Sequence, residues 1–310
     1  MKKKILVAGG AGFIGYHLCK KLLKNNKVIC IDNLCTGSKE NIKILKKDTN
    51  FRFIYKNIQN KVTLECDEIY NLACPASPIQ YQKNPIDTIK TNILGSINLL
   101  ELAKKNKAKI FQASTSEVYG DPLKHPQDEN YRGNVNIIGV RACYDEGKRL
   151  SESIFYDYFR TYKINIKIAR IFNTYGPNMN TKDGRVVSNF IVSALKNQPI
   201  TVYGNGKQTR SFNYIEDTLS GILKLMKSKK SIKGPINIGS NNEISVSFLA
   251  KKIIELTNSK SKITYKKKAE DDPIKRKPDL SLAKKLLNWE QKIKLETGLV
   301  KTIDYFKKLL

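Results

Sequence analysis

The chain has 310 residues, 40% of them hydrophobic, and a formal net charge of +28 at pH 7. This length and apolar content are enough for one large or two closely joined domains, while no apolar run is long enough to cross a bilayer and no room precedes the first predicted strand for a signal peptide. The excess charge is mostly lysine spread along the chain rather than clustered arginine, so we expect a cytoplasmic protein with no membrane or nucleic-acid partner.

Strands and helices alternate through the first half of the sequence. Short apolar runs predict strands, and stretches with helical periodicity lie between them. This alternation is typical of a doubly wound parallel sheet, so we predict a Rossmann α/β domain over residues 1–172. The predicted strands are Ile5–Ala8, Val28–Asp32, Glu68–Leu72, Lys109–Ser114 and Ile166–Arg170, and the predicted helices are Gly12–Asn25, Asp87–Lys105 and Ala142–Tyr162.

The pattern becomes irregular after residue 172. Glycine-containing loops follow, and further helices are predicted at Ser247–Leu256 and Ser281–Leu287. We therefore predict a smaller C-terminal α/β lobe, residues 173–310, that binds the substrate, with part of 207–230 returning to the Rossmann domain.

A glycine-rich turn, Gly9–Gly15 with sequence GGAGFIG, follows the first predicted strand and begins a helix. Glycines in this position let a pyrophosphate approach the backbone and the helix N terminus. Asp32 ends the second strand, where a carboxylate binds both hydroxyls of the adenosine ribose and repels a 2′-phosphate, so NAD is favoured over NADP. The predicted cofactor-binding residues are Gly9, Gly12, Phe13, Ile14, Gly15, Asp32, Asn33, Leu72, Ala73, Tyr144 and Lys148.

A tyrosine and a lysine four residues apart, Tyr144 and Lys148, lie on one face of a predicted helix. The lysine cation stabilises a tyrosinate, which brings the phenol nearer to the strength of a useful base. Upstream, the hydroxyl-rich run Ser114–Gly120 follows a strand at the edge where such sheets place their active sites. We predict that Thr115 shares the substrate proton with Tyr144.

Together, these motifs and their order resemble the extended short-chain dehydrogenase/reductases, the NAD-dependent epimerase/dehydratase family. Within that class the chain most resembles the UDP-glucuronate decarboxylases, and the resemblance runs from Lys3 to about Phe306. The stretches that carry it are Asn71–Pro78, Ser114–Pro122, Arg141–Arg149, Ala169–Pro177, Asp183–Phe190 and Asp271–Asp279.

The resemblance implies a mechanism that regenerates NAD in every cycle. Tyr144 deprotonates the C4 hydroxyl while a hydride leaves C4, and the resulting 4-keto acid loses carbon dioxide because the electrons flow into the new carbonyl. C5 is then protonated and the hydride returns, which gives UDP-xylose. The resemblance also implies a homodimer that pairs through residues 87–105 and 142–162.

Family resemblance supplies the remaining predicted site residues. Glu117 is expected to handle protons near the sugar ring, and Arg276 to face the diphosphate or the sugar carboxylate. No metal site is predicted. The predicted catalytic residues are Tyr144, Lys148, Thr115 and Glu117, and the predicted substrate-binding residues are Tyr81, Lys90, Asn173, Arg185, Tyr203, Arg210 and Arg276.

Other functions stay open at this point. A UDP-sugar 4-epimerase needs no decarboxylating apparatus and is expected to resemble this chain less around Arg276, whereas a 4,6-dehydratase is expected to carry an aspartate where this chain has Ser116. An NAD-binding scaffold without catalysis and a basic RNA-binding protein are the alternatives from other classes. The chain also departs from the family at Asn57, where an aspartate near the adenine is usual, and at Val140, where a proline is common. The six cysteines form no C-x-x-C pair and are expected to be reduced thiols.

Overall fold

Seven parallel strands form the central sheet of the computed structural model, which describes residues 2–310. Their order is β3-β2-β1-β4-β5-β6-β11, so the strand order reverses between β1 and β4. The predicted fold class, a doubly wound Rossmann sheet with a smaller C-terminal lobe, is confirmed. The strands are β1 (Lys4–Ala8), β2 (Lys27–Asp32), β3 (Phe51–Tyr55), β4 (Glu68–Asn71), β5 (Lys109–Thr115), β6 (Ile166–Ile171), β7 (Thr174–Tyr175), β8 (Ile200–Tyr203), β9 (Thr209–Ser211), β10 (Asn213–Tyr214), β11 (Ile236–Ile238), β12 (Glu243–Ser245) and β13 (Ile263–Lys266).

Helices cover both faces of this sheet. On one face α4 and α5 pack against β4, β5 and β6, and on the other α1 and α7 pack against β1, β2, β6 and β11. The helices are α1 (Phe13–Leu23), α2 (Lys39–Leu45), α3 (Pro78–Lys83), α4 (Pro85–Asn106), α5 (Ala142–Tyr162), α6 (Val186–Leu195), α7 (Ile215–Lys227), α8 (Val246–Thr257), α9 (Ser281–Leu287) and α10 (Leu295–Lys307), with a 3-10 helix at Ser116–Tyr119.

The second lobe is built from short strand pairs and three helices. Strands β8 and β13 pair in parallel, β9 and β12 pair antiparallel, and α6, α8 and α10 pack together beside them. Helix α7, which lies within residues 207–230, packs against α1 and β6 of the central sheet. None of the helices within residues 2–310 is long and apolar enough to cross a membrane.

Local chemistry sets where the long helices begin and how closely they pack. Helix α4 begins two residues before the predicted start because the Asn84 side chain accepts a hydrogen bond from the Asp87 amide at 3.3 Å. Helices α4 and α5 approach closely at Gly147, where a Cβ would lie 2.8 Å from Asn92 Nδ2. This contact fixes the face of α5 that carries Tyr144.

Candidate active site

A cavity of about 1110 Å³ opens at the carboxyl edge of the central sheet. Residues at the ends of five strands line it: Gly9 after β1, Asp32 of β2, Leu72 after β4, Thr115 of β5 and Asn173 after β6. Ligands of doubly wound sheets bind at this edge, where the strand order reverses. The opposite wall comes from the second lobe and includes Arg185, Tyr203, Arg210 and Asp272.

The glycine-rich turn forms a cradle that side chains would fill. Gly9 has a φ of 79°, in the left-handed region, and a Cβ on it would lie 2.8 Å from the backbone of Leu72 and Ala73. A Cβ on Gly15 would lie 2.1 Å from the Gly9 carbonyl oxygen, whereas a Cβ on Gly12 would meet only that oxygen, at 3.3 Å. Gly12 is the N-cap of α1, so the start of that helix faces the cavity.

Asp32 is tied to the turn beside it. Its carboxylate accepts hydrogen bonds from the Ala11 amide at 3.0 Å and from the Leu34 amide at 2.7 Å. Burial raises the pKa of Asp32, and these two hydrogen bonds oppose the increase. The other predicted cofactor residues, namely Phe13, Ile14, Asn33, Leu72 and Ala73, all line the cavity, as does Asn57.

The predicted catalytic pair lies together in the cavity wall. Lys148 Nζ donates to the Ala113 carbonyl oxygen at 2.9 Å and lies 5.8 Å from the centre of the Tyr144 ring. Burial raises the pKa of the Tyr144 phenol and nearby Cys74 adds to the increase, whereas a hydrogen bond with Thr115 opposes it. Burial lowers the pKa of Lys148. The structure therefore brings Tyr144, Lys148 and Thr115 to one place.

Tyr81 forms a wall against Tyr144. The two rings are stacked, with centroids 4.8 Å apart and planes 6° from parallel. The Tyr81 hydroxyl is buried and has no hydrogen-bond partner within residues 2–310. The stacking holds the Tyr144 ring in one orientation beside the cavity.

Glu117 lies between two guanidinium groups. One carboxylate oxygen accepts a hydrogen bond from Arg141 and the other from Arg276. Burial alone would raise the pKa of Glu117, but the charges of Arg141 and Arg276 outweigh it and hold that pKa at about 2. Arg276 also donates to the Gly120 carbonyl oxygen at 2.8 Å and is only 2% exposed. Glu117 is thus a carboxylate at neutral pH.

Two more carboxylates surround Arg141. Its Nη1 atom lies 3.6 Å from Asp272 and its Nε atom lies 3.8 Å from Asp145. Asp272 also accepts a hydrogen bond from Arg210 at 2.9 Å. The three acids and the arginines Arg141, Arg210 and Arg276 form one cluster beside the cavity, in which Asp272 is the most exposed member.

The predicted substrate-binding residues divide into two groups. Tyr81, Asn173, Arg185, Tyr203 and Arg210 line the cavity, and Asp183 holds the Arg185 guanidinium with two hydrogen bonds. Lys90 and Arg276 do not line it. Lys90 is exposed on α4, because its position on the helix turns it away from the sheet edge, and Arg276 is buried behind Glu117.

Sequence reasoning did not single out Arg141, Asp145 or Asp272. Arg141 and Asp145 are four residues apart and flank Tyr144, so the helical spacing that pairs Tyr144 with Lys148 also predicts their proximity. Asp272 comes from a loop 127 residues beyond Asp145, and no local spacing in the sequence connects the two.

Comparison with known sequences gives matches over nearly the whole chain. The family model described as GDP-mannose 4,6 dehydratase matches residues 6–302. UDP-glucuronic acid decarboxylase 3 of Arabidopsis thaliana is 53% identical over 298 residues, which are 96% of this chain and 86% of that protein. UDP-glucuronic acid decarboxylase 1 of Xenopus tropicalis is 48% identical over 310 residues, which are 100% of this chain and 73% of that protein.

Solved structures of nucleotide-sugar epimerases share the fold. UDP-glucuronic acid 4-epimerase of Bacillus cereus, in complex with UDP-glucuronic acid and NAD, has a TM-score of 0.90 and 31% identity, with 99% of this chain and 100% of that chain covered. UDP-glucose 4-epimerase of Thermotoga maritima, with UDP-glucose, has a TM-score of 0.91 and 30% identity, with 99% of each chain covered.

Proposed function

Since the chain belongs to the UDP-glucuronic acid decarboxylases, within the NAD-dependent epimerase/dehydratase family, we propose that it converts UDP-glucuronate to UDP-xylose and carbon dioxide with a bound NAD. The family predicted from the sequence is confirmed by these relatives. One observation of the site carries the proposed chemistry: the Arg141 side chain lines the same cavity as Tyr144. A substrate with a carboxylate next to its reacting carbon needs such a cation beside such a base.

The glycine cradle and Asp32 fit a dinucleotide, because a Cβ on Gly9 or Gly15 would collide with the backbone and Gly12 leaves the cavity side open. Bound NAD would supply the acceptor for the hydride of C4 and the donor that returns it. We propose that residues 1–172 bind NAD and that residues 173–310 bind the UDP-sugar through Asn173, Arg185, Tyr203 and Arg210, with Tyr81 of the first domain as a further contact.

Tyr144 is the proposed base for the C4 hydroxyl. Its phenol lines the cavity with Thr115, and Lys148 lies close enough to stabilise the tyrosinate. Stacking against Tyr81 holds the ring in place. Removal of the C4 proton by Tyr144 lets the carbon be oxidised to a ketone.

Oxidation at C4 makes the substrate a β-keto acid, since the carboxylate is carried by the neighbouring carbon C5. We propose that Arg141 binds this carboxylate and that Glu117, held by Arg276, keeps the Arg141 guanidinium in place. Because Glu117 is ionised, its proposed part is to accept hydrogen bonds and orient Arg141. Carbon dioxide leaves as its bonding electrons enter the carbonyl at C4.

The rival functions fit less well. The epimerases named above are 30–31% identical, against 48–53% for the decarboxylases. A 4,6-dehydratase needs an acid at Ser116, whose buried hydroxyl lies 3.5 Å from the Arg276 guanidinium. A scaffold without catalysis has no use for Tyr144, Lys148 and Thr115 in one cavity.

Mass spectrometry of the purified protein with UDP-glucuronate and NAD⁺ tests the proposal. We expect a product lighter by one carbon dioxide and no net NADH. UDP-glucose is the matched control, because it lacks the carboxylate and cannot decarboxylate. An unchanged mass with inversion at C4 would instead support the epimerase, and no conversion of UDP-glucuronate, UDP-glucose or UDP-galactose would support the scaffold.

We further propose that the enzyme is a cytoplasmic homodimer joined through α4 and α5. Both helices carry exposed apolar side chains, including Ile86, Leu94 and Leu150. Six free cysteines suit a reducing compartment. Light scattering of the protein as it elutes from a size-exclusion column gives its molar mass and tests the dimer. With an interface through α4 and α5, Leu150→Glu is expected to give monomers.

A further inference from the structure

Arg141 is shared by three carboxylates. Its guanidinium donates to Glu117 and lies 3.8 Å from Asp145 and 3.6 Å from Asp272. Since the hydrogen bond to Glu117 keeps Arg141 in place, a substrate carboxylate that binds Arg141 competes with the two longer contacts, to Asp145 and Asp272. What happens to each acid depends on the other cations within its reach.

Two of the three acids have a second cation. Glu117 keeps its hydrogen bond from Arg276, and Asp272 keeps its hydrogen bond from Arg210 at 2.9 Å. Asp145 has no second cation within 4.0 Å in the part of the chain described, residues 2–310. Its Oδ1 atom is buried and has no hydrogen-bond partner there.

We propose that Asp145 takes up a proton when UDP-glucuronate binds, because the substrate carboxylate draws Arg141 away from it. A buried carboxylate without a cation is costly, and protonation removes the cost. This inference rests on the proposed function of the site. In this role Asp145 holds a proton next to Tyr144, and Asp145 itself does not contact the substrate.

The surroundings of Asp145 favour protonation. Burial and the charge of Glu117 raise its pKa to about 7, while Arg141 and Arg276 oppose the increase and Asp271 adds to it. Removal of Arg141 takes away the nearest opposing charge. The charged and titratable groups that face Asp145 are Arg141, the N-cap of α5, Cys143 and Tyr144 on α5, Tyr81 on α3, Glu117 in the 3-10 helix, and Asp271 and Arg276 in the loop before α9. Asp272 and Arg210 are joined to this group through Arg141.

Decarboxylation itself consumes one proton. The bond between C5 and C6 breaks, its electron pair passes into the enolate of the 4-ketone, and carbon dioxide leaves. A proton then forms the new bond at C5. Loss of the carboxylate also frees Arg141 to return to Asp145, which favours the ionised acid again. The stored proton is thus released at the stage at which C5 needs one.

Calorimetry of the NAD-loaded Tyr144→Phe variant measures the uptake without turnover. Binding heats of UDP-glucuronate at pH 8 are compared in two buffers with different ionisation enthalpies. We expect uptake of about one proton per site at pH 8, where free Asp145 is ionised, and less at pH 6, where it is already protonated. UDP-glucose, which lacks the carboxylate, should bind without uptake.

The double variant Tyr144→Phe/Asp145→Asn assigns the proton to its site, and Tyr144→Phe/Asp272→Asn, which removes the other acid close to Arg141, is the matched control. Uptake should vanish in the first and persist in the second. Zero uptake in Tyr144→Phe, or undiminished uptake after Asp145→Asn, overturns the inference. If the parent enzyme converts UDP-glucuronate but Tyr144→Phe takes up no proton, the inference about Asp145 fails and the proposed function stands. If UDP-glucuronate is neither converted nor bound, the inference and the proposed function both fail.

Discussion

At the scale of single residues, the two hydroxyls of Tyr144 and Thr115 face one cavity with the Lys148 ammonium behind them. Burial raises the pKa of the phenol in the free chain, so the base depends on its neighbours for useful strength. This makes the phenol oxygen of Tyr144 the atom whose loss should matter most to the rate.

Tyr144→Phe removes that oxygen and keeps the ring that stacks on Tyr81. We expect kcat to fall by about two to four orders of magnitude, the usual range for a positioned general base. The measurement is the rate of carbon dioxide release from UDP-glucuronate, with NAD affinity as the control for folding. A rate like that of the parent enzyme would remove Tyr144 from the mechanism.

The glycine turn gives a second prediction, from a pair of substitutions. Gly15→Ala places a Cβ 2.1 Å from the Gly9 carbonyl oxygen, so the turn cannot close and the melting temperature should fall. Gly12 has a φ of −73°, which alanine adopts freely, and its Cβ would meet only one atom, at 3.3 Å. Gly12→Ala should therefore fold normally yet bind NAD about tenfold or more weakly, a cost of about 1.4 kcal/mol.

Thermal unfolding and NAD titration of the two variants separate these effects. Unchanged NAD affinity in a folded Gly12→Ala protein would mean that the pyrophosphate does not approach this turn.

Among the predicted residues that line the cavity, Tyr144 and Lys148 share a local motif, because they are one helical turn apart. Asp272 could not be predicted, because its contact with Arg141 arises only when a distant loop packs on α5. Lys90 shows the reverse case. The family resemblance implies that Lys90 contacts the substrate, but the side chain of Lys90 is exposed on α4 and does not line the cavity.

At the scale of elements, two lysines bind carbonyl groups at the end of α7 and in the turn that follows it. Lys167 of β6 is fully buried and donates to the carbonyl oxygens of Lys229 at 2.7 Å and Ile232 at 2.5 Å, and Lys109 of β5 donates to that of Met226 at 2.8 Å. Cations stabilise the C-terminal end of a helix and satisfy its free carbonyl groups. These contacts join α7 to the central sheet.

Lys167→Met keeps the length of the side chain and removes its donors. We expect the free energy of unfolding to fall by about 1–3 kcal/mol, because buried carbonyl groups lose their partner. Urea unfolding measures the change, and kcat should be retained because Lys167 does not line the cavity. Lys251→Met, at an exposed position in the middle of α8, is the control and should leave stability unchanged. Equal stability of both variants would contradict the capping role.

Periodicity predicted five of the seven central strands, and it missed β3 and β11. Strand β3 lies at the edge of the sheet and is only half-buried, so its residues lack the continuous apolar run of the inner strands. Strand β11 has three residues, and it is a strand because it pairs with β6 rather than because of its own sequence. The local sequence pattern does not show which distant segments pair with each other.

At the scale of the whole molecule, the net charge of +28 should act on a substrate that carries a diphosphate and a carboxylate. Screening lengths fall from about 30 Å at 0.01 M salt to about 8 Å at 0.15 M. We expect KM for UDP-glucuronate to rise with ionic strength while kcat stays constant.

Lysine-to-glutamate substitutions distinguish attraction of the substrate by charges near the cavity from attraction by the total charge of the protein. Lys267 and Lys268 are exposed next to Ala269, which lines the cavity, whereas Lys229 and Lys230 are exposed after α7, at the other edge of the sheet. Lys267→Glu/Lys268→Glu should raise KM more than Lys229→Glu/Lys230→Glu. Equal effects would mean that only the total charge matters, and no salt dependence would contradict the role of charge altogether.

The contact between Glu117 and Arg276 joins residues that are 159 positions apart. Chains fold from the N terminus as they are synthesised, so the glycine turn and six of the seven central strands, which end at Ile171, emerge from the ribosome well before Arg276. Until then Glu117 lacks one of the two charges that keep it ionised. During translation, a nascent chain can thus complete its dinucleotide site long before its carboxylate-handling site exists, and the ability to decarboxylate arrives only with the last part of the polypeptide.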